Sequence, residues 1–132
     1  MKLLLDTHIW VWSVLEPERL SSRMANAIAD SGTELWLSPI SVWEVIVLHR
    51  KGRLLPEVDL AGWIARAMRA LSVKEAPVTH EVAQEIGRLE LSHRDPADHF
   101  LVATAKVFDL TLATADEKLL KVKGISILRN RA

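Results

Sequence analysis

Residues 3–15 read LLLDTHIWVWSVL, and they set the pattern for the whole chain. The three leucines at residues 3–5 predict a short strand buried on both faces, as strands of parallel sheets are. Residues 7–15 predict a helix, which Pro17 ends. The carboxylate of Asp6 stands between strand and helix. In an open parallel sheet this is the edge at which ligands bind.

Apolar strands and helices alternate along the rest of the sequence. The segment at residues 73–78 contains Pro77, so we expect this strand to be short or near an edge. Thr114 and Glu117 have the spacing of a capping box for the last helix. The alternation predicts an α/β fold with a mainly parallel central sheet. Beyond residue 15, strands are expected at residues 34–37, 73–78, 111–113 and 125–128, and helices at residues 22–30, 41–51, 60–71, 80–89, 96–108 and 114–121.

The composition is that of a folded protein, and its length suits a single domain spanning residues 1–132. Hydrophobic residues make up 49% of the chain and charged residues 26%, which is typical of globular proteins. The net charge of +0 gives no global attraction for nucleic acid, although it is compatible with a local basic groove. The absence of cysteine excludes disulfides, thiolate metal sites and a thiol nucleophile. No run approaches the roughly 18 apolar residues of a membrane span, so we expect a soluble, cytoplasmic protein.

Four carboxylates lie beside or within apolar runs: Asp6, Glu44, Asp98 and Asp116. Buried acids close to core segments lower the stability of the fold unless they are paired, hydrogen-bonded or bound to metal. Acids from distant segments that converge on one spot suit hard cations such as Mg²⁺ or Mn²⁺, which prefer oxygen ligands. The pattern therefore predicts a small metal-dependent nuclease.

Each of these acids also has a structural interpretation. Asp6 can cap the helix that follows it, and Glu44 can be a buried acid paired with Arg50. Asp98 would be the third residue of its helix and Asp116 would lie in a first turn, positions that favour acids. The functional interpretation depends on four acids recurring at the same kind of position rather than on any one of them.

The remaining polar and aromatic residues are less specific. The five histidines lack the spacing of a zinc site, and His99 is the one that we expect nearest to substrate. The five tryptophans are expected mainly in core or dimer packing rather than in base stacking. Two basic groups could bind phosphate or form solvated faces. One is the tail at residues 118–131, and the other consists of Arg50, Lys51, Arg53, Arg66 and Arg69.

Four short motifs resemble those of PIN domains: LLDTH at residues 4–8, SVWE at residues 41–44, DPAD at residues 95–98 and TAD at residues 114–116. More narrowly, the chain is similar to the VapC-type toxin ribonucleases of toxin–antitoxin pairs. The resemblance spans nearly the whole chain, and its specificity lies in the combined order and spacing of the acids. One departure is His99, because many relatives have arginine directly after the second Asp of the DPAD motif.

The resemblance implies a three-layer α/β/α sandwich of the PIN type. It also implies that Asp6, Glu44, Asp98 and Asp116 are the catalytic residues and hold Mg²⁺ or Mn²⁺, while Asp95 serves the helix cap. The implied reaction is endonucleolytic hydrolysis of RNA by metal-activated water. The implied partners are RNA, a second copy of the chain in a homodimer, and a cognate antitoxin protein.

Two other classes of protein remain as alternatives. A PIN-like module could bind RNA or protein without cutting, although a pure binding surface has no need of concentrated negative charge where phosphates approach. An aspartyl phosphotransferase also places Asp at a strand end, but it requires a second Asp where this chain has His8.

Overall fold

Five parallel strands form one sheet within the residues that the computed structural model describes, 1–54, 57–91 and 95–131. Their order across the sheet is β3-β2-β1-β4-β5, and every neighbouring pair is parallel. The predicted parallel sheet is confirmed, and β3 is a two-residue strand at one edge. The strands are β1 (Lys2–Leu5), β2 (Glu34–Leu37), β3 (Lys74–Glu75), β4 (Thr111–Thr114) and β5 (Ile127–Arg129).

Helices cover both faces of this sheet. One face carries α1 to α4, where Leu3 and Leu5 lie in a core with Trp10. The other face carries α6, where Leu4 lies in a core with Leu101, and α5 packs against α6. All of these core side chains are fully buried, and the architecture is the expected three-layer α/β/α sandwich. In the described ranges the helices are α1 (Thr7–Leu15), α2 (Ser22–Ala29), α3 (Pro39–Arg50), α4 (Leu60–Leu71), α5 (His80–Ile86) and α6 (Pro96–Val107), with a 3₁₀ turn at Pro17–Arg19.

Several predicted boundaries are wrong by a few residues. Helix α3 begins at Pro39 rather than at residue 41, because Ser38 caps it: the Ile40 N–H donates to Ser38 Oγ at 3.0 Å. Helix α5 ends at Ile86 instead of residue 89, and β5 begins at Ile127 instead of residue 125. No helix in the described ranges has the length and apolar content to cross a membrane.

The predicted helix at residues 114–121 is wrong. Thr114 is the last residue of β4, and residues 117–121 form turns. The expected capping box does not form because the Thr114 hydroxyl is engaged elsewhere. It donates to Asp6 Oδ2 at 2.6 Å and accepts from the Asp116 N–H at 3.0 Å.

The tryptophans divide between core and surface. Trp10 and Trp63 are buried together, with ring centroids 5.3 Å apart, and Trp36 stacks on Phe108. Trp43 is 51% exposed on α3. Core packing therefore accounts for most, but not all, of the five.

Candidate active site

The candidate site lies where the order of strands reverses. From β1 the chain continues to β2 and β3 on one side of the sheet, and later fills the other side with β4 and β5. Such a reversal leaves a crevice at the carboxyl ends of the two central strands. A cleft of about 330 Å³ lies there, and all four predicted acids line it. Its lining residues are Asp6, His8, Trp12, Glu44, Asp95, Asp98, Ala115 and Asp116.

Asp6 serves the helix cap and the cleft at the same time. Its Oδ1 accepts the Thr7 N–H at 2.7 Å, as expected of an N-cap, and its Oδ2 accepts the Thr114 hydroxyl at 2.6 Å. The side chain is almost fully buried. Burial raises the pKa of Asp6, and the hydrogen bond from Thr114 is the main opposing effect. The structural and functional interpretations of Asp6 are therefore compatible.

Asp116 is positioned by the turn that replaces the predicted helix. The Thr114 hydroxyl accepts the Asp116 N–H, and Asp116 Oδ1 accepts the Lys118 N–H at 2.9 Å. One hydroxyl thus connects the carboxylate of Asp6, after β1, with the backbone N–H of Asp116, after β4. Sequence reasoning treated Thr114 only as a helix cap and missed this role. The signal that could have found it is the TAD motif directly after an apolar strand.

Glu44 reaches the cleft from α3, where it is half-buried. Burial raises the pKa of Glu44, and the nearby carboxylates of Asp6 and Asp95 raise it further. The Thr7 hydroxyl opposes this increase through a hydrogen bond, and it also lies 3.0 Å from the buried Ser41 hydroxyl. The alternative partner Arg50 is exposed, and no ion pair between described residues joins it to Glu44.

Asp98 lies in the first turn of α6 and is 6% exposed. The helix cap is formed by Asp95, whose Oδ1 accepts the Ala97 N–H at 3.1 Å. Burial raises the pKa of Asp98 to about 7, and the neighbouring carboxylates of the cleft all act in the same direction. The charged form of this acid is therefore unfavourable until a cation enters the cleft.

Four further residues line the cleft that sequence reasoning did not place there: His8, Trp12, Asp95 and Ala115. His8 is the last residue of the first motif, and its electrostatic effect lowers the pKa of both Asp6 and Glu44. Trp12 lies one helical turn further, with the Arg19 guanidinium 4.3 Å from its ring centroid. His99, which we expected nearest to substrate, is not among the lining residues. His93, another of the five histidines, lies outside the described residues.

The donor set suits a hard divalent cation in kind. Every predicted ligand offers carboxylate oxygen, which Mg²⁺ and Mn²⁺ prefer, and the mutual repulsion of these acids would be relieved by positive charge. In the described ranges, no three acidic or histidine side chains stand close enough to hold a metal ion. The acids therefore share one cleft but not yet one coordination centre.

Comparisons with known proteins agree with this architecture. The model of the PIN domain family matches residues 3–125. Ribonuclease VapC22 of Mycobacterium tuberculosis (strain ATCC 25618 / H37Rv) is 32% identical over 118 residues, which cover 89% of this chain and 88% of that protein.

Two solved structures are similar in fold. VapBC2 from Rickettsia felis, bound to a promoter DNA fragment, matches with a TM-score of 0.75 at 16% identity over 98% of both chains. DNA-bound VapBC from Salmonella typhimurium matches with a TM-score of 0.73 at 18% identity over 99% of both chains. From the match over residues 3–125 and the 32% identity to a VapC ribonuclease, we conclude that this chain belongs to the PIN domain family.

Proposed function

We propose that this PIN-domain protein is a metal-dependent endoribonuclease that acts as the toxin of a toxin–antitoxin pair. The observation that carries the proposal is the convergence of Asp6, Glu44, Asp98 and Asp116, from four separate segments, on one cleft. The relative that is 32% identical is named a ribonuclease. The reaction is hydrolysis of RNA phosphodiester bonds.

The four acids would hold Mg²⁺ or Mn²⁺, with Asp116 acting directly or through water. When bound, such an ion supplies a water of lowered pKa and positive charge for the leaving oxygen. The chain's own residues prepare the acids for this task. Thr114 and the Thr7 N–H hold Asp6 in place through both of its oxygens. The Thr7 hydroxyl favours the charged form of Glu44.

A cutting function fits the cleft better than simple RNA binding does. Phosphates are repelled by carboxylates, so a binding surface without metal gains nothing from four acids. The raised pKa of Asp98 also favours a metal-dependent function, because without a cation the acids of the cleft oppose one another's ionisation. The concentration of acids and the raised pKa of Asp98 are both expected in a site where a divalent cation lies between the acids and a phosphate.

We propose three partners for the chain: RNA as substrate, a cognate antitoxin protein, and a second copy of itself. Support for the antitoxin comes from the similar solved structures, among them a toxin–antitoxin complex from Klebsiella pneumoniae with a TM-score of 0.63 at 20% identity. The exposed Trp43 on α3 offers apolar surface for a protein contact. Light scattering of the purified chain, alone and with the product of a neighbouring short reading frame, tests both protein partners.

The first experiment is cleavage of a mixed structured RNA in Mn²⁺, Mg²⁺ or EDTA. Wild type and Asp98→Asn are compared with Asp59→Asn, a matched control at an exposed helix start where the carboxylate makes no capping bond. We expect discrete fragments that require metal, that decrease at least about 100-fold with Asp98→Asn, and that persist with Asp59→Asn.

Two results would contradict the proposal. Cleavage that survives both EDTA and Asp98→Asn would exclude this metal site as its source. No cleavage of several RNA classes by folded, metal-saturated protein would favour a non-cutting PIN-like binding module. Thermal melts with and without Mn²⁺ show in either case whether the cleft binds metal, because an ion that binds only the folded state raises the melting temperature.

A further inference from the structure

A second groove, distinct from the acidic cleft, is lined mainly by cations. It has a volume of about 360 Å³ and runs between the segment after α5 and the turns after β4. Its cationic side chains are Arg88, Lys106, Lys118, Lys121 and Lys123, and Glu90 is the acid among its lining residues. Since the whole chain has a net charge of +0, this is a local concentration of positive charge.

Two of these cations are held in place by a buried acid. The Glu85 side chain is 7% exposed, and one of its oxygens lies 2.8 Å from Arg88 Nη1 while the other lies 2.7 Å from Lys106 Nζ. These two contacts lower the pKa of Glu85, so the carboxylate stays charged. Arg88 and Lys106 belong to different segments, and Glu85 joins them into one wall of the groove.

The three lysines of the opposite wall are available for a ligand. Lys118, Lys121 and Lys123 are exposed, and within the described residues no ion pair neutralises them. Three like charges so close together in sequence repel one another. An anion with several charges would relieve this repulsion.

The groove and the acidic cleft share one short segment of chain. Asp116 lines the cleft and Lys118 lines the groove, and the Lys118 N–H donates to Asp116 Oδ1 at 2.9 Å. Two residues of chain span at most about 7 Å. The groove and the cleft are therefore adjacent at this segment, within reach of one polyanion.

We propose that this basic groove, formed around Lys118, Lys121 and Lys123, binds the phosphate backbone of the RNA whose scissile bond enters the acidic cleft. The inference rests on the proposed nuclease function and adds the path of the substrate to it. Among the described residues that line the groove, none has an aromatic side chain on which a base could stack. Its contacts are therefore with phosphates and carry no base sequence.

The test uses fluorescence anisotropy of a labelled single-stranded RNA in EDTA, so that binding is measured without cleavage. The groove variant is Lys118→Gln, Lys121→Gln and Lys123→Gln together. The control variant changes the same number of exposed cations elsewhere, with Arg50→Gln, Lys51→Gln and Arg53→Gln. Thermal melts verify that both variants fold.

We expect the groove variant to bind the RNA at least about tenfold more weakly than wild type at 50 mM salt. The slope of the logarithm of the binding constant against the logarithm of the salt concentration should be smaller in magnitude by about 2, at roughly 0.7 for each of the three lost phosphate contacts. The control variant should retain wild-type binding. In Mn²⁺ the groove variant should show a raised KM at a kcat within about twofold of wild type and an unchanged pattern of cut sites.

Two outcomes would overturn the inference. The first is wild-type RNA affinity in the groove variant together with weak binding by the control variant, which would place the RNA at residues 50–53. The second is unchanged RNA binding with loss of binding to a labelled polyglutamate peptide, which would make the groove a receptor for an acidic protein segment. Groove-dependent RNA binding without any metal-dependent cleavage would support the groove and refute only the proposed nuclease.

Discussion

The Thr114 hydroxyl is the contact that holds the two central acids of the cleft, and Thr114→Val removes it with almost no change in shape. Thr114 is fully buried, donates to Asp6 at 2.6 Å and accepts from the Asp116 N–H at 3.0 Å. Valine cannot replace either bond. The substitution leaves a buried carboxylate oxygen and a backbone N–H without their protein partner.

The expected cost follows from the two bonds. A hydrogen bond to a charged group contributes about 1.5–3 kcal/mol and a neutral one about 1 kcal/mol, so the free energy of unfolding should decrease by roughly 3 kcal/mol. Thr104→Val is the matched control, because Thr104 is equally buried and donates only to the Phe100 carbonyl at 2.6 Å. That carbonyl also has a helical partner, so the control should lose about 1 kcal/mol or less.

Urea unfolding in EDTA at pH 8 measures both losses. Equal destabilisation by the two substitutions, within about 0.5 kcal/mol, would refute the argument that Thr114 supports the acids. A second readout is the pH profile of RNA cleavage. Because the bond from Thr114 lowers the pKa of Asp6, Thr114→Val should shift the acidic limb of the profile to higher pH, and an unshifted limb would contradict this role.

Three further predictions concern pH, backbone conformation and core packing. The pKa of Asp98, about 7 in the folded chain, exceeds its ordinary value of 3.8. The folded state therefore keeps a proton between about pH 4 and pH 7 that the unfolded state has lost, and stability falls as pH rises through 7. In EDTA, urea unfolding should give about 1.3 kcal/mol less stability at pH 8 than at pH 5, roughly half of the unscreened value of about 2.7 kcal/mol for the two pH units between 5 and 7. An equal decrease in Asp98→Asn would refute this assignment. Gly52→Ala should lower the free energy of unfolding by about 1 kcal/mol because the φ of Gly52 is +69°. Gly87→Ala should leave it unchanged because the φ of Gly87 is −65°. Equal effects of the two substitutions in urea unfolding would contradict the backbone argument. Trp10→Leu should lower the free energy of unfolding by about 3 kcal/mol because the ring is fully buried. Trp43→Leu should lower it by less than about 0.5 kcal/mol because that ring is exposed. A thermal melt in which Trp43→Leu is the less stable variant would contradict this assignment of Trp10 to the core.

The sequence predicted the elements around the site well where the signal is local. The helix after Asp6 has the bounds that were expected, and the strand before it begins only one residue earlier than expected, at Lys2, because both patterns depend on near neighbours. The helix predicted after Thr114 shows the limit of such reasoning. The capping-box spacing was present, but the Thr114 hydroxyl bonds a carboxylate 108 residues away instead. A local pattern cannot register a partner at that distance.

By itself, then, the sequence determined the alternation of strands and helices and the four acids beside apolar runs, since burial and capping act over a few residues. The tertiary structure decided which of these residues meet. The placement of β4 beside β1 brings Asp116 to Asp6, and α3 and α6 bring Glu44 and Asp98 to the same cleft. The same packing raises the pKa of Asp98 and joins Arg88 to Lys106 through Glu85. These properties arise from distances across the fold, which depend on how the layers pack together rather than on the order of residues along the chain.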